Sequence, residues 1–522
     1  MVAVAQLVEP RIVIPVVVGS SPIGHPKYFC FSIYRVIDLK VVYTFFHDYW
    51  PLLTFIVSLA LGVTAAVHAA LTKQDVRAAI GWVGIIILSP ILGPLLYLVA
   101  GVNRIRQDQI SELRNKAQQD FESATQASLA DVGTIAGEQF RSLGVLGNRI
   151  SRFPLREGNH IKILRGGDQA YPAMIAAIQD ARHTVALQSY IFDDDRIGEQ
   201  FVHALARAVQ RGIQVRVLID AVGSRYSRPP IIRRLRREGI PYALFMTNSW
   251  GMRMPYANLR SHRKILVIDG YIGFTGGMNI RESFSSYLTG DQVNQDTHFQ
   301  IIGPVVTQLI SVFAQDWQFT TGEFLPFNTW CDETHVAPEP HVLARCIRSG
   351  PDRYMESTHT MLLGAFAIAQ EHVRIQSPYF LPDQILMGAI TTAARRGIQV
   401  DIVIPGKNNL KLVNYAMVSQ LDQVVRAGCR VWQSTQNFDH SKLITIDGTW
   451  SFIGSSNMDP RSLRLNFELD MEVYSRSVAR EVEAIIDGEI VAARPVTLLS
   501  LGAIPFRKRL RNRLIWLFSP YL

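Results

Sequence analysis

Two long apolar runs lie near the start of the chain. Residues 49–72 and residues 78–103 contain no Asp, Glu, Lys or Arg, and only residues 73–77 separate them. A helix needs about 20 mostly apolar residues to cross the hydrocarbon core of a bilayer, so each run is long enough. A pair of buried core helices is the alternative, but the length of the runs and their aromatic residues favour a transmembrane hairpin. Pro90 and Pro94 are expected to kink its second helix.

Basic residues predict how this hairpin is oriented. Arg and Lys flank both outer ends, within residues 35–40 and 104–116, whereas the connecting loop carries Lys73 and Arg77. Cytoplasmic flanks of membrane helices are enriched in Lys and Arg. We therefore expect both ends of the hairpin, and the large domain that follows it, on the cytoplasmic side.

The rest of the chain contains two copies of one pattern. Residues 185–192 and 373–380 are short apolar runs typical of buried strands, and each precedes a helical run. A second strand follows in each copy and shares the string Arg-Gly-Ile-Gln-Val, at 211–215 and at 396–400. Alternating strands and helices predict βαβ units. We expect an α/β fold in which two tandem βα domains form one pseudo-symmetric unit on a largely parallel or mixed sheet.

These patterns divide the chain into six segments. They are an N-terminal extension (1–45), the transmembrane hairpin (46–105), a polar, helix-prone connector (106–150), a first βα domain (151–334), a second βα domain (341–495) and a basic tail (496–522). The Pro-containing stretch 335–340 is the predicted join between the two βα domains. A repeat of this length indicates duplicated domains and not a solenoid.

Composition narrows the class of partner. Lys and Arg number 53 against 44 Asp and Glu, and hydrophobic residues make up 48% of the chain. A basic balance favours phosphate-bearing partners, either anionic lipid or nucleic acid, and does not choose between them. The four cysteines have no Cys-x-x-Cys spacing, which indicates neither a zinc site nor a disulfide scaffold.

The C-terminal tail has the pattern of a basic amphipathic helix. Five apolar residues fall on one helical face, namely Phe506, Leu510, Leu514, Leu517 and Phe518. Arg507, Lys508, Arg509, Arg511 and Arg513 occupy the other faces. Such a helix is typical of binding to the surface of an anionic membrane. The alternative is a plain surface helix that packs on the preceding domain.

Each half also carries the same set of polar residues. The sets are His262, Lys264, Asp269 and Asn279 in the first half, and His440, Lys442, Asp447 and Asn457 in the second. Every member of the second set lies 178 residues after its counterpart. A lone His-x-Lys pattern carries little information, and a chance match is then the better explanation. Two copies with identical downstream spacing, inside a duplicated frame, predict one functional site.

The spacing predicts different positions for the members of each set. Residues two apart on a strand share a face, so His262 and Lys264 should point the same way, as should their counterparts in the second half. Asp269 and Asp447 fall on the opposite face and are each followed by Gly, which is typical of a tight hairpin turn. We therefore expect these two aspartates of the catalytic motif to stabilise its turns and not to act as catalytic bases.

Two histidines and two lysines that converge on one phosphate can catalyse phosphodiester chemistry. One neutral imidazole can attack phosphorus while the other, protonated, gives a proton to the leaving alkoxide. The lysines would stabilise the negative charge of the transition state. The sequence shows no carboxylate cluster that would hold a metal, so no metal or cofactor is expected.

Two further pairs of residues complete the predicted site. Asn279 and Asn457 lie beside small residues and are expected to donate hydrogen bonds to the phosphate. Each imidazole also needs an orienting partner. Asp296 and Glu468 are the candidates, and they lie 34 and 28 residues past the histidines of their own halves.

This paired motif resembles the signature of the phospholipase D superfamily. The segments 259–264, 276–280, 459–462 and 465–468 are further similar to the bacterial cardiolipin synthases, as is the N-terminal hairpin. The resemblance runs from about residue 46 to the C-terminus. Asn294 and Gln295 depart from the family pattern, which usually has an aromatic residue followed by a basic or polar one.

The resemblance implies a function in the bacterial inner membrane. A phosphatidyl group would pass between two phosphatidylglycerol molecules through a phosphohistidine, giving cardiolipin and glycerol. His262 is expected to be the nucleophile and His440 the acid and base. The main alternative is a membrane-bound phospholipase D that releases phosphatidic acid. A nuclease is disfavoured by the membrane hairpin, so no nucleic acid is expected as partner, and a silent scaffold is disfavoured by the intact histidines and lysines. The oligomeric state is left open.

Overall fold

The computed structural model describes most of the chain, namely residues 39–73, 75–102, 129–247, 259–332 and 342–519. The chain forms two compact units, 1–104 and 105–522, each of which is treated by itself. Most of the predicted N-terminal extension and the predicted join at 335–340 lie outside the described residues.

The described part of the first unit is helical. Helix α1 (Leu39–Thr72) is followed by α2 (Val76–Leu88) and α3 (Leu92–Leu96), and a π-helical turn continues to Gly101. The helices pack around a small core of Ala69, Ile86 and Tyr97. Within that core His68 Nδ1 lies 2.7 Å from the hydroxyl of Tyr97.

The two apolar runs of this unit differ in continuity. One helix has the length and composition to cross a membrane among the residues described here, and its apolar stretch is His47–Thr72. The second run is interrupted between α2 and α3, around Pro90, and is therefore a broken helix instead of the kinked one expected from its prolines. Helix α2 has 13 residues and spans about 20 Å, which is less than the ~30 Å of a bilayer core.

The second unit alternates strands and helices. Its strands are β1 (Arg156–Arg165), β2 (Thr184–Ser189), β3 (Gln214–Asp220), β4 (Tyr242–Phe245), β5 (Arg260–Ser261), β6 (Ile265–Ile268), β7 (Ile272–Gly276), β8 (Thr297–Ile302), β9 (Val342–Ser349), β10 (His372–Gln376), β11 (Gln399–Ile404), β12 (Arg430–Ser434), β13 (Leu443–Ile446), β14 (Trp450–Gly454), β15 (Asn466–Tyr474) and β16 (Ala493–Val496). Its helices are α4 (Leu129–Ala136), α5 (Gln139–Ile150), α6 (Gly166–Asp180), α7 (Arg196–Gln210), α8 (Ile232–Arg237), α9 (Ser286–Thr289), α10 (Val306–Thr321), α11 (Phe327–Trp330), α12 (Ser357–Ile368), α13 (Gln384–Arg395), α14 (Lys411–Val418), α15 (Leu421–Arg426), α16 (Pro460–Arg464), α17 (Arg476–Val491), α18 (Leu498–Gly502) and α19 (Phe506–Trp516).

One mixed sheet runs through both halves. The strand order is β16-β12-β11-β10-β13-β14-β15-β9-β1-β8-β7-β6-β2-β3-β4, and β5 pairs with β15. The parallel pairs are β2 with β3, β3 with β4, β10 with β11, and β11 with β12. Strands β1 and β9 pair antiparallel at the centre, where the halves meet. The α/β class and the tandem repeat predicted from the sequence are confirmed.

The hydrophobic core joins the halves into one body. Residues of the first half, such as Ala186 and Ile265, belong to the same buried cluster as Leu443 and Ile453 of the second half. Helices α10 and α17 also contribute to this shared cluster. Because apolar burial is the main stabilising term in folding, the shared cluster fixes the relative position of the halves.

The described part of the predicted connector belongs to the second unit. Helices α4 and α5 pack on the second half, and Phe140 and Leu143 lie in its core with Met361 of α12. Their apolar residues explain why a segment with a polar overall composition folds here. Residues 129–150 are therefore part of the globular unit and not a simple linker.

Candidate active site

Short backbone pairings between the halves place the two histidines. His262 follows β5, and its backbone N–H donates to the carbonyl of Phe467 at 2.9 Å. In the same way the N–H of His440 donates to the carbonyl of Gln295 at 2.8 Å. Each histidine is therefore held by a strand segment of the opposite half. Gln295 makes this pairing although it departs from the family pattern.

The two imidazole rings face each other in the interior. Their centroids are 6.4 Å apart and their planes make an angle of 74°. His262 is 9% exposed and His440 is 7% exposed. The sequence set the histidines 178 residues apart, and the fold brings them to the two sides of one small site. A phosphorus atom between the rings would be within reach of both.

The orienting carboxylates come from the opposite halves. Glu468 Oε2 lies 3.0 Å from Nδ1 of His262, and Asp296 Oδ2 lies 3.0 Å from Nδ1 of His440. The sequence predicted both residues as orienting groups, and in the structure each contacts the histidine of the opposite half. The physical reason is the pairing between the halves, because the start of β15 and the segment just before β8 each run beside the histidine segment of the other half.

The surroundings of these two carboxylates differ. The hydroxyl of Ser455 donates to Glu468 at 2.5 Å and adds a hydrogen bond to the carboxylate. Gly277 occupies the equivalent position beside Asp296, where a Cβ would lie 2.5 Å from Asp296 Oδ1. The shorter aspartate therefore needs a glycine next to it, whereas the longer glutamate accepts a hydrogen bond from a serine.

Both lysines of the motif are buried beside the histidines. Lys264 Nζ donates to the backbone carbonyl of His262 at 2.5 Å and lies 5.6 Å from the ring centre of Tyr190. Lys442 Nζ lies 2.9 Å from Nδ1 of His440 and also donates to the carbonyl of that residue. The predicted shared orientation of histidine and lysine in each half is therefore present in the structure.

Asp269 and Asp447 lie at the turns of the two hairpins, as expected. Both have positive φ angles, 51° and 50°. Asp269 accepts backbone hydrogen bonds from residues 182–184 at 2.7–2.9 Å, and Asp447 accepts equivalent bonds from residues 370–372. Their carboxylates face the strand ends, so within the motif their contacts are those of turn-forming residues.

A cavity of about 480 Å³ opens onto the histidines. Asn279 and Asn457, the predicted phosphate-binding residues, both line it. Asn279 Oδ1 accepts from the backbone N–H of Ile191 at 3.1 Å, which leaves its amide N–H groups for a ligand. Asn457 Nδ2 contacts the hydroxyl of Ser462 at 3.3 Å.

Aromatic rings around the histidines were not predicted. Tyr190 lies 5.2 Å from His262 between ring centres, and Tyr379 and Phe438 lie 6.0 Å and 5.8 Å from His440. These rings restrict the imidazoles to one orientation. Tyr190 and Tyr379 occupy related places at the ends of the repeated strands, so comparing the two repeats position by position could have identified them.

Burial controls the charge of the site. Burial lowers the pKa of His262, although the Glu468 carboxylate acts in the opposite direction. Burial, together with the nearby ammonium groups of Lys442 and Lys264, lowers the pKa of His440 well below its usual range. In the free enzyme at neutral pH both rings are therefore neutral.

The site also shifts the pKa values of the two orienting carboxylates and of the two lysines. Burial raises the pKa of Asp296, whereas the pKa of Glu468 is lowered because His262 and Lys264 outweigh its burial. Burial also lowers the pKa of Lys264 to about 7 and that of Lys442 to about 8. The surroundings of Glu468 therefore favour its ionised form, whereas the burial of Asp296 disfavours the ionised form of that residue.

The arrangement provides a nucleophile, a second proton-transfer group and two cations. Among the described residues no group of three His, Cys, Asp or Glu side chains is placed to hold a metal ion. Cys331, Cys346 and Cys429 are free thiols. The chemistry available from the residues at hand is attack of an imidazole on phosphorus, with general acid and base catalysis by the other ring.

Family comparisons agree with this arrangement. Residues 174–317 and 362–489 match the family described as cardiolipin synthase, PLD-like domain. Residues 60–101 match the family described as phospholipase D-nuclease N-terminal, and this match covers most of the described part of the first unit. Both halves of the pseudo-symmetric unit are therefore recognised, each with its histidine.

Named relatives extend the similarity over most of the chain. It is 32% identical to cardiolipin synthase A of Pseudomonas fluorescens (strain SBW25) over 471 residues, which is 88% of this chain and 96% of that protein. Cardiolipin synthase A of Pseudomonas putida (strain KT2440) is also 32% identical, over 469 residues with the same coverage. Among solved structures, phosphatidylserine synthase of Haemophilus influenzae Rd KW20 superposes with a TM-score of 0.57 at 14% identity. It covers 73% of this chain and 100% of its own, and it shows the shared fold.

Proposed function

Because the chain belongs to the cardiolipin synthase family with phospholipase D-like domains, we propose that it is a phosphatidyltransferase that makes cardiolipin. Two phosphatidylglycerol molecules would give cardiolipin and glycerol. The observation that carries this proposal is the pair of buried imidazoles 6.4 Å apart, each oriented through Nδ1 by a carboxylate. That geometry leaves both Nε2 atoms available to one phosphodiester.

We propose that His262 is the nucleophile. Its Nδ1 lies 3.0 Å from Glu468 Oε2 and 3.2 Å from the carbonyl of Ser455, and both are acceptors. The proton of the neutral ring is therefore fixed on Nδ1, and the lone pair is on Nε2. The ionised Glu468 also stabilises the positive charge that the ring gains when its Nε2 bonds to phosphorus.

His440 then serves as acid and base. In the first step its ring gives a proton to the departing glycerol oxygen, and in the second it takes the proton of the incoming hydroxyl. The P–O bond to glycerol breaks as the P–N bond forms, and the second step reverses this exchange with the new lipid. An anionic phosphodiester near Lys442 offsets the positive charge that lowers the pKa of His440, which favours the protonated ring once substrate is bound.

The proposal is tested by product analysis. Purified full-length protein in detergent is incubated with phosphatidylglycerol, and lipids and glycerol are quantified. We expect cardiolipin with an equimolar amount of glycerol. If phosphatidic acid were the only product, the protein would be a phospholipase and not a synthase. The absence of any turnover would indicate a scaffold.

The roles of the histidines are tested by substitution. His262→Ala and His440→Ala should each lower turnover by at least about a thousandfold, because the groups act as a unit. His440→Ala retains the proposed nucleophile and should accumulate a phosphatidyl adduct on His262. An adduct on His440 in the His262→Ala variant would reverse the assignment.

We propose further that the protein is anchored in the bacterial inner membrane by a two-helix hairpin. The stretch His47–Thr72 supplies one span, and the broken run from α2 through the π-helical turn returns across the bilayer. Helix breaks at proline are tolerated in membranes when neighbouring groups satisfy the freed backbone. Basic residues at both outer ends support a cytoplasmic location of the second unit.

A further inference from the structure

The two sides of the active-site cavity are related by the repeat but differ in charge. The residue two positions before the first histidine is Arg260, and the residue two positions before the second is Phe438. Both line the cavity. The ring of Phe438 packs 5.8 Å from His440 and 6.4 Å from Tyr379 between ring centres. One side of the site therefore offers a guanidinium where the other offers an aromatic ring.

Arg260 differs from its neighbouring arginines in what it contacts. Its Nη1 donates to the backbone carbonyl of Leu259 at 2.6 Å, and within the described residues no carboxylate forms an ion pair with it. Arg281, which lines the same cavity, pairs with Asp193 at 2.7 Å. A guanidinium at a cavity wall that can still donate several N–H hydrogen bonds is well suited to bind a phosphate.

The strand geometry places Arg260 on the same face as His262, the proposed nucleophile. Arg260 pairs with Asn466 in the parallel β5–β15 contact, and the pairing continues to His262. Residues two apart on an extended segment share a face and lie about 7 Å apart. Both residues line the cavity, so one lipid there can contact both, because its own phosphate and its reacting hydroxyl are carried by the same glycerol.

Unpaired acceptors lie next to Arg260. Asn466 is 5% exposed, and its Nδ2 donates to Glu468 Oε1 at 3.1 Å, while its Oδ1 has no hydrogen-bond partner among the described residues. Asn457 is also 5% exposed, and its Oδ1 is unpaired in the same way. Both residues line the cavity. Buried acceptors of this kind are costly unless a ligand donates to them, and a glycerol hydroxyl can do so.

We propose that Arg260, with Asn466 and Asn457, forms a subsite for the phosphoglycerol headgroup of the acceptor lipid. The proposal rests on the proposed function and names residues that bind the second lipid. The guanidinium binds the phosphate that does not react, and the asparagine oxygens bind the glycerol hydroxyls. The terminal hydroxyl then attacks phosphorus on His262, the P–N bond breaks, and the hydroxyl proton passes to His440.

An experiment with two acceptors tests the subsite. Full-length protein in detergent receives phosphatidylglycerol as donor, with and without ethanol, which is an acceptor that has no phosphate. Cardiolipin and phosphatidylethanol are quantified together. We expect Arg260→Gln to lower the ratio of cardiolipin to phosphatidylethanol by about tenfold or more, which is the effect of one lost charge-assisted hydrogen bond. Phosphatidylethanol formation itself should persist.

Matched variants separate this role from general damage. Arg281→Gln removes a charge from the same cavity and should leave the ratio unchanged. Arg260→Lys retains a charge and should give an intermediate ratio, and it provides the test if Arg260→Gln does not fold. An unchanged ratio in both Arg260 variants would overturn the subsite while wild-type cardiolipin synthesis still stood. If the wild-type protein made phosphatidylethanol and no cardiolipin, the proposed function would fail instead.

Discussion

Glu468 and Asp296 have different effects on the histidines they contact. The surroundings of Glu468 lower its pKa, and its carboxylate raises the pKa of His262 against the effect of burial. Burial raises the pKa of Asp296, and its partner His440 also contacts the ammonium of Lys442. The two halves therefore have similar residues but different electrostatics, which suits one ring to bond phosphorus and the other to move protons.

Removing the charge of Glu468 should change the pH profile of the enzyme. Because Glu468 raises the pKa of His262, Glu468→Gln lowers that pKa, so the neutral ring persists to lower pH. We expect the acid limb of kcat/KM to move to lower pH and the rate to fall by about a hundredfold, since the orienting carboxylate is lost. Asp296→Asn is the matched control. A larger shift of the limb assigned to His262 in Asp296→Asn would contradict the crossed pairing.

The lysines should set the alkaline limb. Lys264 has a pKa of about 7 and Lys442 of about 8, and each is a cation only below its pKa. Stabilisation of the anionic transition state is thus present at lower pH and is lost as the pH rises through about 7 to 8. Lys264→Arg keeps its charge at all these values. We expect the alkaline limb of the pH–rate profile of this variant, measured on its residual activity, to lie at higher pH. A limb at the wild-type position would show that a group other than Lys264 sets it.

At the scale of elements, the hairpin that follows each histidine fixes the lysine and histidine on one face. Strands β6 and β13 are short, and their turns depend on aspartates with positive φ. The aspartate carboxylates tie these turns to the starts of β2 and β10, so they connect the hairpins to the parallel part of the sheet.

Loss of one turn aspartate should lower the stability of the fold more than the rate of turnover. Asp447→Ala leaves three backbone N–H groups of residues 370–372 without their carboxylate acceptor. We expect the free energy of unfolding to fall by about 2 kcal/mol, with a lower Tm, while turnover per folded molecule stays near normal. Asparagine tolerates a positive φ, so the free energy of unfolding of Asp447→Asn should lie between those of the wild-type protein and Asp447→Ala. Loss of turnover at an unchanged Tm would give this aspartate a chemical role.

Periodicity predicted the elements better than their ends. The strand expected at 373–380 ends at Gln376, because Pro378 cannot donate to a ladder and the chain turns toward the cavity there. The histidines, lysines, turn aspartates and asparagines could all be predicted, because their offsets repeat. The crossed carboxylates could not, since sequence spacing gives no information on which half supplies the neighbouring strand. Arg260 belongs to the segment 259–264, but only the three-dimensional structure shows that its guanidinium has no ion pair with a carboxylate of the described residues.

At the scale of the catalytic unit, the basic tail lies near the mouth of the cavity. Helix α19 packs on α14, and the guanidinium of Arg511 lies 3.7 Å from the ring centre of Tyr415. Leu410, just before α14, lines the cavity and is itself 47% exposed. The apolar residues predicted for one face of the tail are exposed, including Leu510 and Leu514. An anionic lipid surface is the partner that suits such a helix.

Disrupting that helix should affect bilayer substrates selectively. Leu510→Ser with Leu514→Ser removes apolar area without changing charge. We expect activity on phosphatidylglycerol in vesicles to fall severalfold, because the apolar face no longer inserts, while activity on short-chain monomeric phosphatidylglycerol stays unchanged. The control is Leu499→Ser, another exposed leucine, on α18 outside the amphipathic face. Equal losses on both substrates would indicate that the helix only supports the fold.

The exchange of orienting carboxylates between the halves has an evolutionary consequence. A single-domain ancestor built like either half would have carried a histidine and a carboxylate that could not meet each other. It would have been active only as a twofold dimer in which each subunit completed the other. Duplication and fusion then freed the two copies to diverge. Differences such as Glu468 against Asp296 and Arg260 against Phe438 record that divergence, in which two identical partners became two halves with different surroundings for their histidines.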